Sequence, residues 1–306
     1  MSDTVISDVM REVRMPDRTA SGSTSAAEFA ERYGLDRSGA RPSILSYLGQ
    51  LWTRRHFIRA FATAKTLSLY TTARLGQVWQ VLTPLLNVAV YYLIFGVLFN
   101  TRRGTPNFIA FLVIGVFVFT YTQRAVLVGS KAISDNLGLI RALHFPRASL
   151  PLALTLVELQ QLGISMGVLA VIVLATGESV TLNWLLVVPA LALQTLFNVG
   201  FSLAVARFGA RVTDVSQLLP FLFRTWLYLS GVFYEIKKFT TNAPDWVAFL
   251  MKVNPAAVYI EVVRDALLAT HTAVPHAWLL ATAWALLACV VGFVYFWQAE
   301  EKYGRG

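Results

Sequence analysis

Residues 108–129, FIAFLVIGVFVFTYTQRAVLVG, decide the fold class, because they are almost wholly apolar and contain a single charged residue, Arg124. A helix needs about 20 such residues to cross the hydrocarbon core of a bilayer. The sequence therefore predicts an all-α integral membrane protein with six transmembrane helices. The other five apolar segments lie at 78–99, 150–175, 182–206, 215–234 and 277–298.

The composition of the 306-residue chain excludes a soluble globular enzyme. Apolar residues make up 56% of the chain and charged residues only 14%, whereas soluble domains carry about 25% charged residues. The net charge of +9 is typical of basic loops that face anionic lipid, and we expect no nucleic acid partner. The single cysteine, Cys289, lies in an apolar segment and cannot form an internal disulfide.

The distribution of basic residues predicts the orientation of the spans. Outside them, 18 Lys and Arg residues fall on the side of the N-terminus and 6 fall on the opposite side. Because cytoplasmic loops carry the excess of these residues, we expect a multi-pass protein of the plasma membrane with both termini in the cytoplasm. Residues 1–43 are rich in Ser, Ala and charged residues, which predicts a flexible cytoplasmic tail.

Two segments outside the spans predict helices that lie against or dip into the membrane. Residues 44–76 mix aromatic and basic side chains directly before the first span, which is typical of an amphipathic helix in the membrane interface. Residues 235–276 hold short apolar pieces divided by Pro244 and Pro255. These pieces are too short to span, so they predict two re-entrant helices at the outer face.

Residues 133–145, between the second and third spans, predict a short amphipathic helix. Ile133, Leu137, Ile140 and His144 fall at positions i, i+4, i+7 and i+11, which places them on one helical face. An apolar face on a helix in water needs a partner surface. We therefore expect a cytoplasmic protein to dock on this segment.

Polar residues recur at helical spacing inside three spans, where polarity is costly and faces protein or water. In the fourth span, Gln194, Asn198 and Ser202 favour contacts between helices. Arg124 and Glu158 fall at different depths, which disfavours an ion pair. In the first and fifth spans, helix contacts and the lining of a pathway are equally compatible with the pattern. Those stripes are Gln80, Thr83, Asn87 and Tyr91 in the first span, and Gln217, Phe221, Arg224, Tyr228, Gly231 and Glu235 in the fifth.

Enzymatic chemistry is not indicated by any motif. The sequence has no G-x-x-x-x-G-K-[ST] loop that could cradle a nucleotide phosphate. The four histidines lack the spacing of metal ligands, and no span carries paired carboxylates. We expect a chain that is not an enzyme, with no catalytic residue, no metal and no cofactor of its own.

Several motifs together resemble ABC-2-type permeases that export polysaccharides, the Wzm-like family, over roughly residues 50–300. The sequence is most similar to that of permeases of mycobacterial-type galactan exporters. The sequence differs from the usual pattern of that family before the first span, where the basic and aromatic run is reduced to Lys65, Tyr70 and Arg74. The motifs are Leu75-Gly76 with Trp79, Leu82, Pro84 and Leu85; Asn136-Leu137 with Leu139-Ile140; Phe145-Pro146-Arg147 with Leu150-Pro151; Arg211 with Asp214; Leu219-Pro220-Phe221-Leu222; and Asn254-Pro255 with Glu261 and Arg264.

This resemblance implies an architecture and a function. Residues 77–300 would form the ABC-2 transmembrane domain, with 133–145 as the coupling helix and 235–276 as outer gate helices. Two copies of the chain would pair with two copies of a separate Wzt-like ATPase subunit, which binds ATP and Mg. The pore would lie between the copies, lined by the first and fifth spans. The cargo would be a glycan on a polyprenyl diphosphate, here a galactan, exported across the plasma membrane.

The resemblance also implies a role for particular residues. For Arg224 a structural role remains open as well, with a backbone carbonyl, Asn87 or Glu158 as its partner. The substrate channel would comprise Asn87, Tyr91, Phe95, Phe221, Arg224, Tyr228, Phe233 and Tyr234; the ATPase-coupling set Ile133, Asn136, Leu137, Ile140, Arg141 and His144; and the gate Leu75, Gly76, Trp246, Phe249, Asn254 and Pro255.

Two other classes of function remain as alternatives. A secondary transporter would show inverted repeats and acidic residues at the membrane midplane, and only Glu158 meets the second criterion. A membrane-embedded glycan-transfer enzyme would need acid and base residues that the sequence does not present. Transport that requires a co-expressed ATPase subunit separates the exporter from both alternatives.

Overall fold

The computed structural model describes residues 42–69, 78–98, 107–143, 145–212, 214–241 and 243–303, apart from the side chains of residues 80, 84 and 302. All regular elements within these ranges are helical, which confirms the all-α fold class. The α-helices are α1 Ile44–Thr53, α2 Arg55–Ser68, α3 Val78–Tyr91, α4 Phe108–Ser130, α5 Leu137–Ala142, α6 Ser149–Ala175, α7 Val187–Gly209, α8 Val215–Leu229, α9 Ile236–Thr240, α10 Asp245–Val253, α11 Pro255–Leu267 and α12 Ala277–Trp297.

Five of the described helices are long and apolar enough to cross a membrane, which confirms a multi-pass membrane protein. They are α4, α6, α12, α7 with the 3-10 turn Leu182–Leu186 before it, and α3 with its π-helical continuation Tyr92–Leu98. Their boundaries lie within a few residues of the predicted spans. This agreement follows from the sharp change in composition at each end of an apolar run.

The predicted fifth span, 215–234, is a shorter helix than expected. Its α-helix α8 has 15 residues and ends at Leu229, which gives a length of about 22 Å at 1.5 Å per residue. A turn follows in which Gly231 adopts φ +66°, a backbone conformation that favours glycine. Phe233 and Tyr234 therefore lie beyond the helix, in the turn that leads to α9.

The region 235–276 contains three helices, and the last of them is buried inside the bundle. α10 and α11 meet at a bend of 67°, so by length and composition the pair fits either one broken span or a re-entrant loop. The Asn254 side chain at the bend accepts a hydrogen bond from the Ala256 N–H at 3.1 Å and so caps α11. Trp246 and Phe249 on α10 are exposed, whereas most residues of α11 are buried against α4, α7 and α12.

One of the three polar residues of the fourth predicted span, Gln194, bonds to a neighbouring helix. Gln194 on α7 donates to the Val118 carbonyl at 2.8 Å and to the Thr122 hydroxyl at 2.9 Å, both on α4. Asn198 and Ser202 are fully buried. α7 also packs closely on α12, since a Cβ on Gly200 would lie 2.1 Å from the Ala288 carbonyl oxygen. The small residues Gly200, Ala288 and Gly292 at this contact allow the two backbones to approach each other.

Different segments of the chain lie at the two ends of the bundle. One end, called here the terminal end, holds α1, α2, the connection 131–148 and the chain after α12; the opposite end, the distal end, holds α9 and α10. Between residues 44 and 68 the predicted interfacial helix is two helices, α1 and α2, which join at Arg54. Residues 1–41 of the predicted tail and 70–76 of the predicted interfacial segment, with Leu75 and Gly76, lie outside the described residues, as does His144.

Candidate functional site

Five predicted channel residues come together where the distal ends of α3 and α8 meet. The Phe233 ring lies at their centre, stacked on Phe95 at 4.2 Å between centroids and edge-on to Tyr91 at 5.0 Å. Tyr228 lies 5.6 Å from Phe233, and its carbonyl accepts a hydrogen bond from the Tyr234 hydroxyl at 3.0 Å. These five residues form what we call the aromatic cluster. Phe233 is only 2% exposed, so it packs on the buried side of the other rings.

The remaining predicted channel residues lie on an exposed face of α8 and α3. Phe221 is 67% exposed and Tyr228 46% exposed, and Arg224 between them is exposed as well. We call Phe221, Arg224 and Tyr228 the open face of α8. Asn87 on α3 is also exposed. The buried face of α8 consists of Leu219, Phe223 and Leu227.

Among the described residues, Arg224 contacts none of the partners that a structural arginine would need. Within the part of the chain that the structure describes, its guanidinium makes no hydrogen bond and no ion pair, either with Asn87 or with Glu158. Its charge interacts only electrostatically with the Tyr91 hydroxyl. An arginine midway along an apolar helix therefore faces away from its own bundle.

Arg124 and Glu158 line the same small notch between α4 and α6, although their predicted depths differ. The notch has a volume of about 20 Å³, and Arg124 Nη1 donates to Gln161 Oε1 across a long 3.5 Å contact. Arg124 and Glu158 interact electrostatically but do not form an ion pair among the contacts of the described residues. The notch is therefore polar and large enough for about one water molecule.

A buried cation, Arg264 on α11, organises the distal end, and its role was not predicted. Its Nη1 and Nη2 donate to the carbonyls of Gly231 and Val232 at 2.8 and 2.9 Å, in the turn after α8. Nε and Nη2 donate to the Phe111 carbonyl on α4 at 3.2 and 3.0 Å. The Arg264 side chain is fully buried and lies 3.5 Å from the Glu261 carboxylate. One guanidinium therefore joins α4, α11 and the end of α8.

The Glu261 carboxylate connects this network to a cleft at the distal end. Its Oε2 lies 3.1 Å from Nε2 of His271, and both residues line a cleft of about 210 Å³. The sequence signal was the i, i+3 spacing of Glu261 and Arg264 on a short apolar helix. What the spacing could not show is that the other acceptors are backbone carbonyls of two distant segments.

The predicted gate residues have different environments. Trp246 and Phe249 on α10 are exposed apolar side chains. Asn254 instead holds α8, because its Oδ1 accepts from Trp226 Nε1 at 2.8 Å and its Nδ2 donates to the Leu229 carbonyl at 3.1 Å. Pro255 begins α11 directly after the bend. The bend between α10 and α11 is thus bonded to the last turn of α8.

The predicted coupling helix 133–145 is shorter and oriented differently from the expectation. A 3-10 turn at Ser134–Asn136 precedes α5, which ends at Ala142. Ile133 and Ile140 are 2% and 6% exposed and pack into the apolar cluster at the terminal end, beside Leu150 and Phe296.

The expectation that Ile133 and Ile140 present an apolar face to a partner is therefore wrong. Their own bundle covers that face, and Leu137 is partly buried with them. The side chains of Arg141 and Leu143 are exposed instead, with Leu143 at 51%. Asn136 donates to the Ala132 carbonyl at 2.9 Å and so stabilises the preceding turn.

The described helices form a multi-pass membrane bundle, and comparison with known proteins gives its family. Residues 57–268 match the family model for the ABC-2 type transporter, and the chain belongs to this family. It is similar to the O-antigen export system permease protein RfbA of Myxococcus xanthus, with 23% identity over 83% of this chain and 94% of the relative. The protein of the same name from Klebsiella pneumoniae is 24% identical over 64% of this chain and 74% of the relative.

The buried network predicts that Arg264→Met destabilises the protein by about 3–5 kcal/mol, because it leaves three carbonyls without their donor and the Glu261 carboxylate without the cation beside it. The double variant Arg264→Met/Glu261→Gln should recover part of this loss, since it also removes the buried negative charge. Thermal unfolding of the purified, detergent-solubilised variants measures the effect. Arg224→Met is the matched control and should unfold like the wild type; equal stability of all four proteins would contradict the network.

Proposed function

We propose that this chain is the permease subunit of an ABC transporter that exports a polysaccharide, and that it works as a homodimer with a glycan path between the copies. The observation that carries the proposal is Arg224, a cation midway along an exposed helical face that makes no ion pair or hydrogen bond with the described residues. An arginine in the centre of a lipid-facing helix costs roughly 2.5–3.5 kcal/mol on insertion scales. The open face of α8 is therefore expected to meet water or a second copy.

A second copy related by a twofold axis would place two open faces opposite each other. Soluble homo-oligomers most often close in this way, with the same surface patch on both subunits. The exposed rings of Phe221 and Tyr228, with Asn87 nearby on α3, would then line the space between the copies. Aromatic faces stack on the C–H faces of sugars, and Arg224 can donate hydrogen bonds to hydroxyl or phosphate oxygens.

The class of cargo is supported by the relatives. They are named as permeases of O-antigen export systems, over most of their length and most of this chain. O-antigens are polysaccharides, so we assign a polysaccharide cargo to this chain. The narrower cargo, a galactan on a polyprenyl diphosphate, is supported by the sequence resemblance. In this assignment the terminal end faces the cytoplasm, in agreement with the excess of basic residues there.

Energy for export would come from a separate ATPase subunit, which would bind ATP and Mg. The sequence of this chain has no phosphate-binding loop, and the ABC-2 family comprises membrane parts of ABC transporters. We assign the dock to the surface around α5 that the bundle leaves uncovered, where Arg141 and Leu143 are exposed. ATP-driven movement of the partner would reach α6 through the residues that follow α5.

Replacement of Arg224 by Gln tests the glycan path. The variant should assemble with the ATPase and hydrolyse ATP as the wild type does, while export of lipid-linked glycan falls by about tenfold, the effect of one lost charge-assisted hydrogen bond. Arg224→Lys keeps the charge and should retain most of the export. Normal export by Arg224→Gln, or loss of the dimer, would return Arg224 to a structural role.

Replacement of Leu143 by Asp tests the dock. A carboxylate at this exposed position should weaken binding of the ATPase subunit by several kcal/mol when the contact is desolvated, and leave the fold intact. Leu182→Asp is the matched control, because Leu182 is an exposed leucine at the distal end. Ile140→Asp should instead destabilise the permease itself. Full co-purification of the ATPase with the Leu143→Asp variant places the dock elsewhere.

A further inference from the structure

A buried polar cluster at the terminal end joins three segments that are far apart in sequence. The Tyr47 hydroxyl on α1 donates to Glu300 Oε2, beyond α12, at 2.7 Å. The same hydroxyl accepts from the backbone N–H of Ala148 at 3.1 Å. The backbone N–H of Arg147 donates to Glu300 Oε1 at 2.9 Å, and its guanidinium donates to the Glu300 carbonyl. We call Tyr47, Arg147, Ala148 and Glu300 the terminal clamp.

Because these hydrogen bonds are buried, water cannot easily replace either partner. Tyr47 is 1% exposed and Glu300 6% exposed. Burial raises the pKa of the Tyr47 hydroxyl, so the group stays protonated and remains a donor. Burial also raises the pKa of the Glu300 carboxyl, while the hydrogen bonds from Arg147 and Tyr47 oppose that shift. A buried acceptor that loses its donor is costly, so these bonds constrain the geometry strongly.

The clamp lies immediately after the surface assigned to the ATPase dock. Arg147 and Ala148 occupy the connection between α5 and the first residue of α6, Ser149. The ring of Phe145 in the same connection contacts Phe57 of α2, with 5.3 Å between centroids. Displacement of α5 therefore reaches α6 through the chain itself. It reaches α1 and the end of α12 through the clamp.

We propose that Tyr47 and Glu300 are positioning residues that make α1, the start of α6 and the end of α12 move as one unit when the dock moves. This inference rests on the proposed function, because it takes the surface around α5 as the place where ATP-driven movement enters. Apolar contacts in the surrounding cluster resist separation, but they tolerate sliding. The hydrogen bonds of the clamp fix the register between the segments.

The test uses the complete complex of permease and ATPase in lipid vesicles, with Tyr47→Phe and Glu300→Gln as variants. Both should co-purify with the ATPase and keep ATP hydrolysis within about twofold, while glycan exported per ATP hydrolysed falls by about tenfold. Tyr303→Phe is the matched control. Its hydroxyl is buried at the same end of the bundle but donates to the Phe296 carbonyl, at 3.2 Å. Export per ATP should therefore stay at the wild-type value.

Amide hydrogen exchange of the permease without the ATPase provides a second readout. Exchange at residues 145–150 should rise by about tenfold in both clamp variants and remain unchanged in Tyr303→Phe. Unchanged exchange in the clamp variants overturns the proposal, and so does faster exchange with undiminished export per ATP. A wild-type complex that hydrolyses ATP without moving glycan would overturn the proposed function, and the exchange measurement would still decide whether the clamp holds the connection.

Discussion

The end of α8 is held inside the bundle by side chains of the neighbouring segment, and the position of the open face depends on this constraint. A helix that ends within apolar surroundings leaves carbonyls that must find donors. Asn254 donates to the Leu229 carbonyl, and Arg264 donates to the carbonyls of Gly231 and Val232. Because Arg264 also binds the Phe111 carbonyl, the end of α8 is fastened to the central helix α4. The bend between α10 and α11 and the end of α8 therefore form one unit.

α8 has one face packed into the bundle and one open face, and this difference decides which side chains can line a path. Its buried face packs through Phe223 and Trp226 against Phe119 of α4, so the helix cannot rotate without loss of these contacts. Phe221 and Arg224 are consequently presented away from the bundle. A distal gate built from α10 and α11 would share its anchor with the helix that lines the proposed path. Opening of the gate and movement of α8 are then expected to be coupled.

The sequence predicted the helices that cross the membrane well, because the length of an apolar run depends on bilayer thickness alone. It predicted less well where a tertiary contact decides the outcome. The spacing of Ile133 and Ile140 showed a common face, but periodicity does not show which surface covers it, and the bundle does. The early end of α8 at Leu229 depends on donors from Asn254 and Arg264, which are remote in sequence. Aromatic residues of the first and fifth predicted spans lie close together where the ends of α3 and α8 meet, and their role in a channel stays a prediction.

The proposed glycan path between two copies can be tested by the accessibility of the open face of α8 to water. In a chain with Cys289 replaced by Ser, a cysteine is placed at Phe221 on α8 or at Leu286 on α12, both exposed apolar positions in the middle of their helices. A charged thiol reagent that does not cross membranes is applied to the assembled complex in lipid. A water-accessible path between two copies predicts rapid modification of Phe221→Cys and little modification of Leu286→Cys, which faces lipid. Equally slow modification of both would contradict the path and leave the open face of α8 in contact with lipid.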